Sequence, residues 1–136
     1  MRHALADEVG IVVAVTNFSG NESRIETDYS TLEEMQKFAS KLEGKRFDIE
    51  TAAMYCVAAR RSVIDRIGLL DERFTTGTYE DADYSERVRR AGLRVVCAPD
   101  AFVHHYGSAT FSTLSQREFF DLETRNRQLF EEKWRP

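Results

Sequence analysis

The chain has 136 residues, of which 42% are hydrophobic and 31% charged, and a formal net charge of -4. That length suits one domain able to bury about two-thirds of its unfolded surface, and the balance excludes a disordered chain. A net negative charge argues against a nucleic-acid partner, which needs clustered Lys and Arg, and Arg60-Arg61 and Arg89-Arg90 are too short to reverse this.

No apolar run approaches the ~20 residues that span a bilayer, and no cationic-apolar leader opens the chain. The expected location is therefore the cytoplasm or the inner face of the membrane. Cys56 and Cys97 lie in apolar, strand-like runs and read as small buried hydrophobes. A single bridge between them stays open, but their spacing makes neither a disulfide framework nor a zinc pattern.

In chain order, Val9 to Val15 is a continuous β-branched run, long enough for a strand buried on both faces. Thr16 to Asn21 is loop chemistry. Ser30 or Thr31 caps a helix with Glu33 and Glu34 in its first turn and Leu32, Met35, Phe38, Ala39 and Leu42 as its apolar stripe, and Gly44 stops it. Thr51 to Ala59 reads as a second buried strand, and Arg60 to Ile67 as a short helix ending at Gly68. Residues 69–78 are connecting loop. Glu80 to Ala91 is a third helix with Gly92 as its stop, Leu93 to Cys97 and Ala101 to His104 are two strands broken at Pro99, and a last helix covers Gln116 to about Trp134. Strands alternating with helices indicate an α/β sheet in one domain spanning residues 1–136. Phe111, Phe119, Phe120, Leu122, Leu129, Phe130 and Trp134, mostly in the 112–136 segment, read as a core or oligomer face.

The chemistry concentrates at Glu80-Asp81-Ala82-Asp83, where three carboxylates in four residues raise one another's pKa. Part of this has a purely structural explanation: acids in a first helical turn are stabilised by the macrodipole, and Asp83 with Arg87 at i,i+4 makes an ion pair. It leaves unexplained why Glu80 and Asp81 stand together behind the loop ending at Tyr79, a place where side chains are presented to a cleft. Asp81-x-Asp83 matches a metal-diphosphate pattern only formally, because it opens a helix instead of following a strand. A calcium loop lacks its turn glycine and final glutamate. His104-His105 follows a strand, so alternation sends the two rings to opposite faces. One ring packs, and the other is free to bind a cation through a neutral imidazole, although a strand histidine is more often structural.

Several segments then fall into an order: Val9-Gly-Ile-Val, Val15-Thr-Asn17 with Gly20-Asn21, Cys56 with Arg60-Arg61, Ile67 to Phe74, Glu80-Asp-Ala-Asp-Tyr84 with Arg87, Ala91-Gly92, and Phe102 to Phe111. This set, covering about Val9 to Phe111, resembles the acceptor-side half of the family 2 glycosyltransferases, inverting enzymes of the GT-A fold. The resemblance implies a partial GT-A-like mixed sheet flanked by helices. It implies that Asp81 is the general base for an acceptor hydroxyl and that Glu80 orients it or contacts acceptor hydroxyls. His105 falls at the family's position near the metal and diphosphate. Asp83, Arg87 and Asn17 fall on the substrate side, with Arg87 positioning Asp83 and Asn17 lining the sugar site.

The implied cofactor is a divalent ion, Mg or Mn, in the complete enzyme, with none expected on this chain alone. The implied partners are a nucleotide-sugar donor and a glycan or cell-envelope acceptor. The donor-binding half is absent from these 136 residues, and Val13-Ala14 stands where relatives show Gly-Pro. The chain is thus expected to be a C-terminal portion of a transferase, truncated or separately encoded, and inactive alone. The competing expectation is a non-catalytic module that binds a saccharide or forms a homodimer through its aromatic C-terminal helix.

Overall fold

In a computed structural model, residue 3 and residues 6–75, 77–107 and 111–135 are described. Thr76 of the expected 75–78 loop, and Ser108, Ala109 and Thr110 of the motif after His105, lie outside them. The elements are β1 (Val9–Thr16), α1 (Leu32–Ser40), β2 (Phe47–Asp48), β3 (Val57–Ala59), α2 (Arg61–Ile67), α3 (Glu80–Arg90), β4 (Arg94–Val103) and α4 (Gln116–Trp134), with a 3-10 turn at Phe111–Thr113 before α4. The sheet runs β2-β4-β1-β3. β1 and β4 pair in parallel at its centre, and β2 and β3 flank them antiparallel. This is the expected α/β mixed sheet with helices against it.

β1 is apolar from Val9 to Val15 and every one of its residues, the terminal Thr16 included, is buried. Ile11, Val13 and Val15 join Val95 and Cys97 under Tyr84 and Val88 of α3, while Val9 and Val12 join Val96 and Ala98 on the other side. Gly10 lets α3 approach: a Cβ there would stand 2.3 Å from Val88 Cγ1.

Three expectations are corrected. Pro99 does not break the last strand. β4 continues through it, and the pairing skips from Ala98 opposite Ala14 to Phe102 opposite Val15; the residues between bulge from the ladder, where a proline's missing N–H costs nothing. The strand expected from Thr51 shrinks to Val57–Ala59, because the backbone before it bonds to side chains instead: Ala52 N–H donates to Ser85 Oγ (3.1 Å) and Asn21 Nδ2 donates to the Thr51 carbonyl (2.7 Å). Cys56, outside the ladder, is consequently exposed, while Cys97 is buried. Finally, α1 is capped by Thr31, one of the two expected caps, in a capping box with Glu34, but it ends at Ser40, short of Gly44, and buries none of its residues. β2 was not foreseen, since two residues carry no alternation to read.

α4 opens on a Ser115–Glu118 capping box and is locked down at its far end. The Asp83 carboxylate has no exposed surface and accepts from Arg87 Nε (3.0 Å), Trp134 Nε1 (2.8 Å) and Lys133 Nζ (2.7 Å). Lys133 also reaches Asp71 (2.8 Å), which Arg73 holds from its own loop; these two cations keep the Asp71 carboxyl well below the usual carboxylate range. Arg87 Nη1 donates to the Ile67 and Leu69 carbonyls. One carboxylate thus joins α3, α4 and the loop after α2. Asp83→Ala leaves a guanidinium, an ammonium and an indole N–H facing a void, and is expected to cost about 3–5 kcal/mol, read from the urea midpoint of unfolding.

Candidate active site

Parallel strands of an open α/β sheet carry ligand sites beyond their carboxyl ends. Here β1 runs out into Asn17-Phe18 and β4 into His104-His105. Two adjoining cavities lie there, of about 420 and 470 Å³. Gly77, Thr78, Glu80 and Asp81 line the first, Phe18, His104 and Tyr106 line the second, and Tyr55, His105 and Phe111 are shared. A larger hollow of about 680 Å³ runs along α1, but none of the sequence-predicted residues line it.

The acidic end is built on a strained turn. Gly77, Thr78 and Tyr79 all have left-handed backbones, with φ of 99°, 69° and 66°. For a β-branched Thr and a bulky Tyr this costs about 1–3 kcal/mol each. Gly77 is further constrained, since a Cβ would meet the Phe111 ring at 3.1 Å. Tyr79, the N-cap of α3, offers no side-chain cap. Asp81 accepts instead from the Ala82 N–H (2.8 Å). Burial pushes the Asp81 carboxyl above its ordinary range, against the backbone N–H groups that lower it. Burial, and then the Asp81 charge, do the same to Glu80, whose buried Oε2 has no partner among the described residues. A carboxylate whose proton affinity is raised by burial is better suited to accept a proton than an exposed one.

The other wall is aromatic. Asn17 clasps the His105 peptide from both sides: its Oδ1 accepts the His105 N–H (2.8 Å) and its Nδ2 donates to the His105 carbonyl (3.1 Å). His105 Nδ1 lies 2.9 Å from the Phe18 carbonyl, so it carries the proton, and Nε2 keeps a lone pair for a ligand. The ring stacks on Tyr55 at 5.2 Å and meets Phe18 edge-on at 5.7 Å. Tyr55 donates its hydroxyl to the Ala14 carbonyl, and burial pushes its pKa up to about 12. His104 turns the other way, 2.5 Å from the Tyr29 hydroxyl.

The fold therefore brings Glu80, Asp81 and His105 to one cavity. Asp83 and Arg87 do not line it; they form the buried ion pair described above. Asn17 does not line it either, and holds His105 in place. Among the described residues no three His, Cys, Asp or Glu side chains gather to hold a metal. His105 offers a single nitrogen, where a divalent ion of this kind takes about six ligands, so these residues do not fit a metal centre of their own.

Two supporting residues escaped the sequence reading. Tyr55 sits in the stretch read as a buried strand. Asn126 of α4 is fully buried, and the two hydrogens of its Nδ2 are shared among the Gly77 carbonyl (2.8 Å), the Thr78 carbonyl (3.2 Å) and Thr78 Oγ1 (3.1 Å). Its signal was available: a carboxamide four residues from both Leu122 and Phe130, inside an apolar stripe.

Residues 4–125 match the family described as Glycosyltransferase like family 2. Over 107 residues the chain is 32% identical to the O-antigen biosynthesis protein RfbC of Myxococcus xanthus, an alignment covering 74% of this chain and 8% of that protein. The chain thus spans a small fraction of that relative's length. No solved structure matches it.

The raised Glu80 carboxyl has a stability consequence. A carboxyl that holds its proton more tightly when folded favours the native state fully below its ordinary value of 4.5, and that contribution is lost as pH rises through the higher folded value. Glu80→Gln is expected to raise the melting temperature by a few degrees at neutral pH. The advantage should fade below pH 4.5, as read by thermal melts across pH.

Proposed function

Because this chain belongs to glycosyltransferase-like family 2, we propose that it carries the acceptor site and catalytic base of an inverting sugar transfer. The sugar moves from a nucleotide-sugar to a glycan or cell-envelope acceptor. The observation that most supports this is the meeting of Asp81, Glu80 and His105 at one cavity beyond the carboxyl ends of β1 and β4. The name of the relative, an O-antigen biosynthesis protein, supports a surface polysaccharide as the acceptor class.

In this reading Asp81 takes the proton of the acceptor hydroxyl as its oxygen attacks the anomeric carbon from the side opposite the leaving diphosphate. The bond to the diphosphate breaks as the new glycosidic bond forms, which inverts the centre. Glu80 Oε2, buried and without a partner among the described residues, accepts a hydrogen bond from an acceptor hydroxyl and fixes its approach. The aromatic walls from Tyr55 and Phe111 exclude water and offer apolar faces to a sugar ring. His105, oriented by Asn17 and Phe18, turns its Nε2 to the donor side.

Proteins of this family generally use a divalent ion, which when bound stabilises charge on the leaving diphosphate. His105 is the residue here able to contribute to it. The remaining ligands and the nucleotide pocket are assigned to residues outside this chain, so the chain by itself is expected to transfer no sugar. The alternative is a saccharide-binding module without catalysis, which the same aromatic walls would serve, or a dimer through α4, where Phe120 is 64% exposed.

With a donor-binding half supplied in front of the chain, Asp81→Asn should lower kcat by about 10²–10⁴-fold while circular dichroism and acceptor affinity stay unchanged. Full activity of that variant would remove Asp81 as the base. Sugar transfer by the purified 136-residue chain would overturn its assignment as one half of the enzyme.

A further inference from the structure

The Glu80–Asp81 pair owes its direction to three consecutive left-handed residues, and nothing within residues 77–79 accounts for their persistence. Thr78 gains nothing intrinsically from φ of 69°. Asp83 N–H donates to the Tyr79 carbonyl (2.9 Å), which starts the helix but leaves the carbonyls of Gly77 and Thr78 facing inward. Inward-facing carbonyls need a donor, and that donor comes from 48 and 49 residues away.

We propose that Asn126 is the positioning residue of the acidic pair: its carboxamide clamps the 77–78 backbone in the left-handed form that turns Glu80 and Asp81 into the cavity. Only one orientation of the amide works. Nδ2 faces four loop oxygens, the carbonyls of Thr75, Gly77 and Thr78 and Thr78 Oγ1, while Oδ1 accepts from Arg125 Nη1 at 3.4 Å; reversing it would set oxygen against oxygen. Neighbours on α4 extend the grip: Arg125 Nη1 donates to Thr75 Oγ1 (2.9 Å), and Phe130 packs on the Tyr79 ring at 5.6 Å. Below the turn, Trp134 and Lys133 hold Asp83 in the first turn of α3. A single helix thus grips the backbone on both sides of the pair without touching the cavity.

The inference rests on the role given above to Glu80 and Asp81 only for its consequence in catalysis, and its test uses no transfer. In the full chain, Asn126→Leu keeps bulk and helix propensity and removes the donor, and Asn126→Ser is a milder version. Carbon-13 NMR follows the two side-chain carboxyls and nitrogen-15 NMR the Ala82 amide, while Trp134 fluorescence reports that the far end of α4 is still docked. The expected result is unchanged Trp134 emission, a downward shift of both carboxyl titrations towards the ordinary range, and loss of the distinct Ala82 amide position as its bond to Asp81 slackens. Folded variants whose carboxyl titrations and Ala82 amide match the parent would overturn the proposal. So would collapse of both variants, which would make Asn126 a plain core residue. Failure to find sugar transfer in any context would leave these signals unaffected, so the two readings fail separately.

Discussion

A carboxylate without solvent organises this molecule. Asp83 has a guanidinium, an ammonium and an indole N–H within about 3 Å, and each of these donors belongs to a segment that must be placed. Arg87 brings the end of α2 through the Ile67 and Leu69 carbonyls. Lys133 brings Asp71 and with it the loop before α3. Trp134, with Arg90 over its ring at 4.6 Å, brings the last turn of α4. A buried charge is retained only when its hydrogen-bonding capacity is filled, so these segments are present together or the site of attachment is unfavourable.

The cavity follows from that attachment. With α4 fixed at Asp83, its middle reaches the 77–79 turn through Asn126, and the turn delivers Glu80 and Asp81 to the carboxyl ends of the parallel strands. The acidic pair is left partly desolvated with no cation paired to it among the described residues, while Asp83, two residues on, is held by two cations and an indole N–H. Side chains adjacent on one helix thereby acquire different characters: Asp83 is held by three donors, two of them cationic, while Asp81 accepts the Ala82 N–H and Glu80 Oε2 has no partner among the described residues. That contrast, together with left-handed strain in the preceding residues, is the usual cost of a functional site within a fold that is otherwise locally consistent.

His105 shows the same division of labour on the aromatic side. Its backbone is held by Asn17, its Nδ1 by the Phe18 carbonyl and its face by Tyr55, which leaves one ring nitrogen uncommitted. Rigid support around a single available atom suits an orienting or electrostatic task. It does not suit a complete metal centre.

Local chemistry was legible in the residues themselves. The β-branched run of β1, the N-terminal cap of α1, the helix opened by acids and the histidine pair after β4 are all encoded within a few neighbours, because hydrogen bonds and side-chain periodicity at that range do not depend on the rest of the chain. The division of the acidic cluster was legible only in part: the i,i+4 spacing to Arg87 sets Asp83 apart from Glu80 and Asp81, but the two donors that complete its burial, Trp134 and Lys133, stand on the far end of α4. Nor could spacing show that Pro99 sits in a bulge, that the backbone around Thr51 bonds to Asn21 and Ser85, or that Asn126 answers the carbonyls of Gly77 and Thr78. Those outcomes depend on which distant group fills a buried donor or acceptor, and proximity of that kind exists only once the chain has folded.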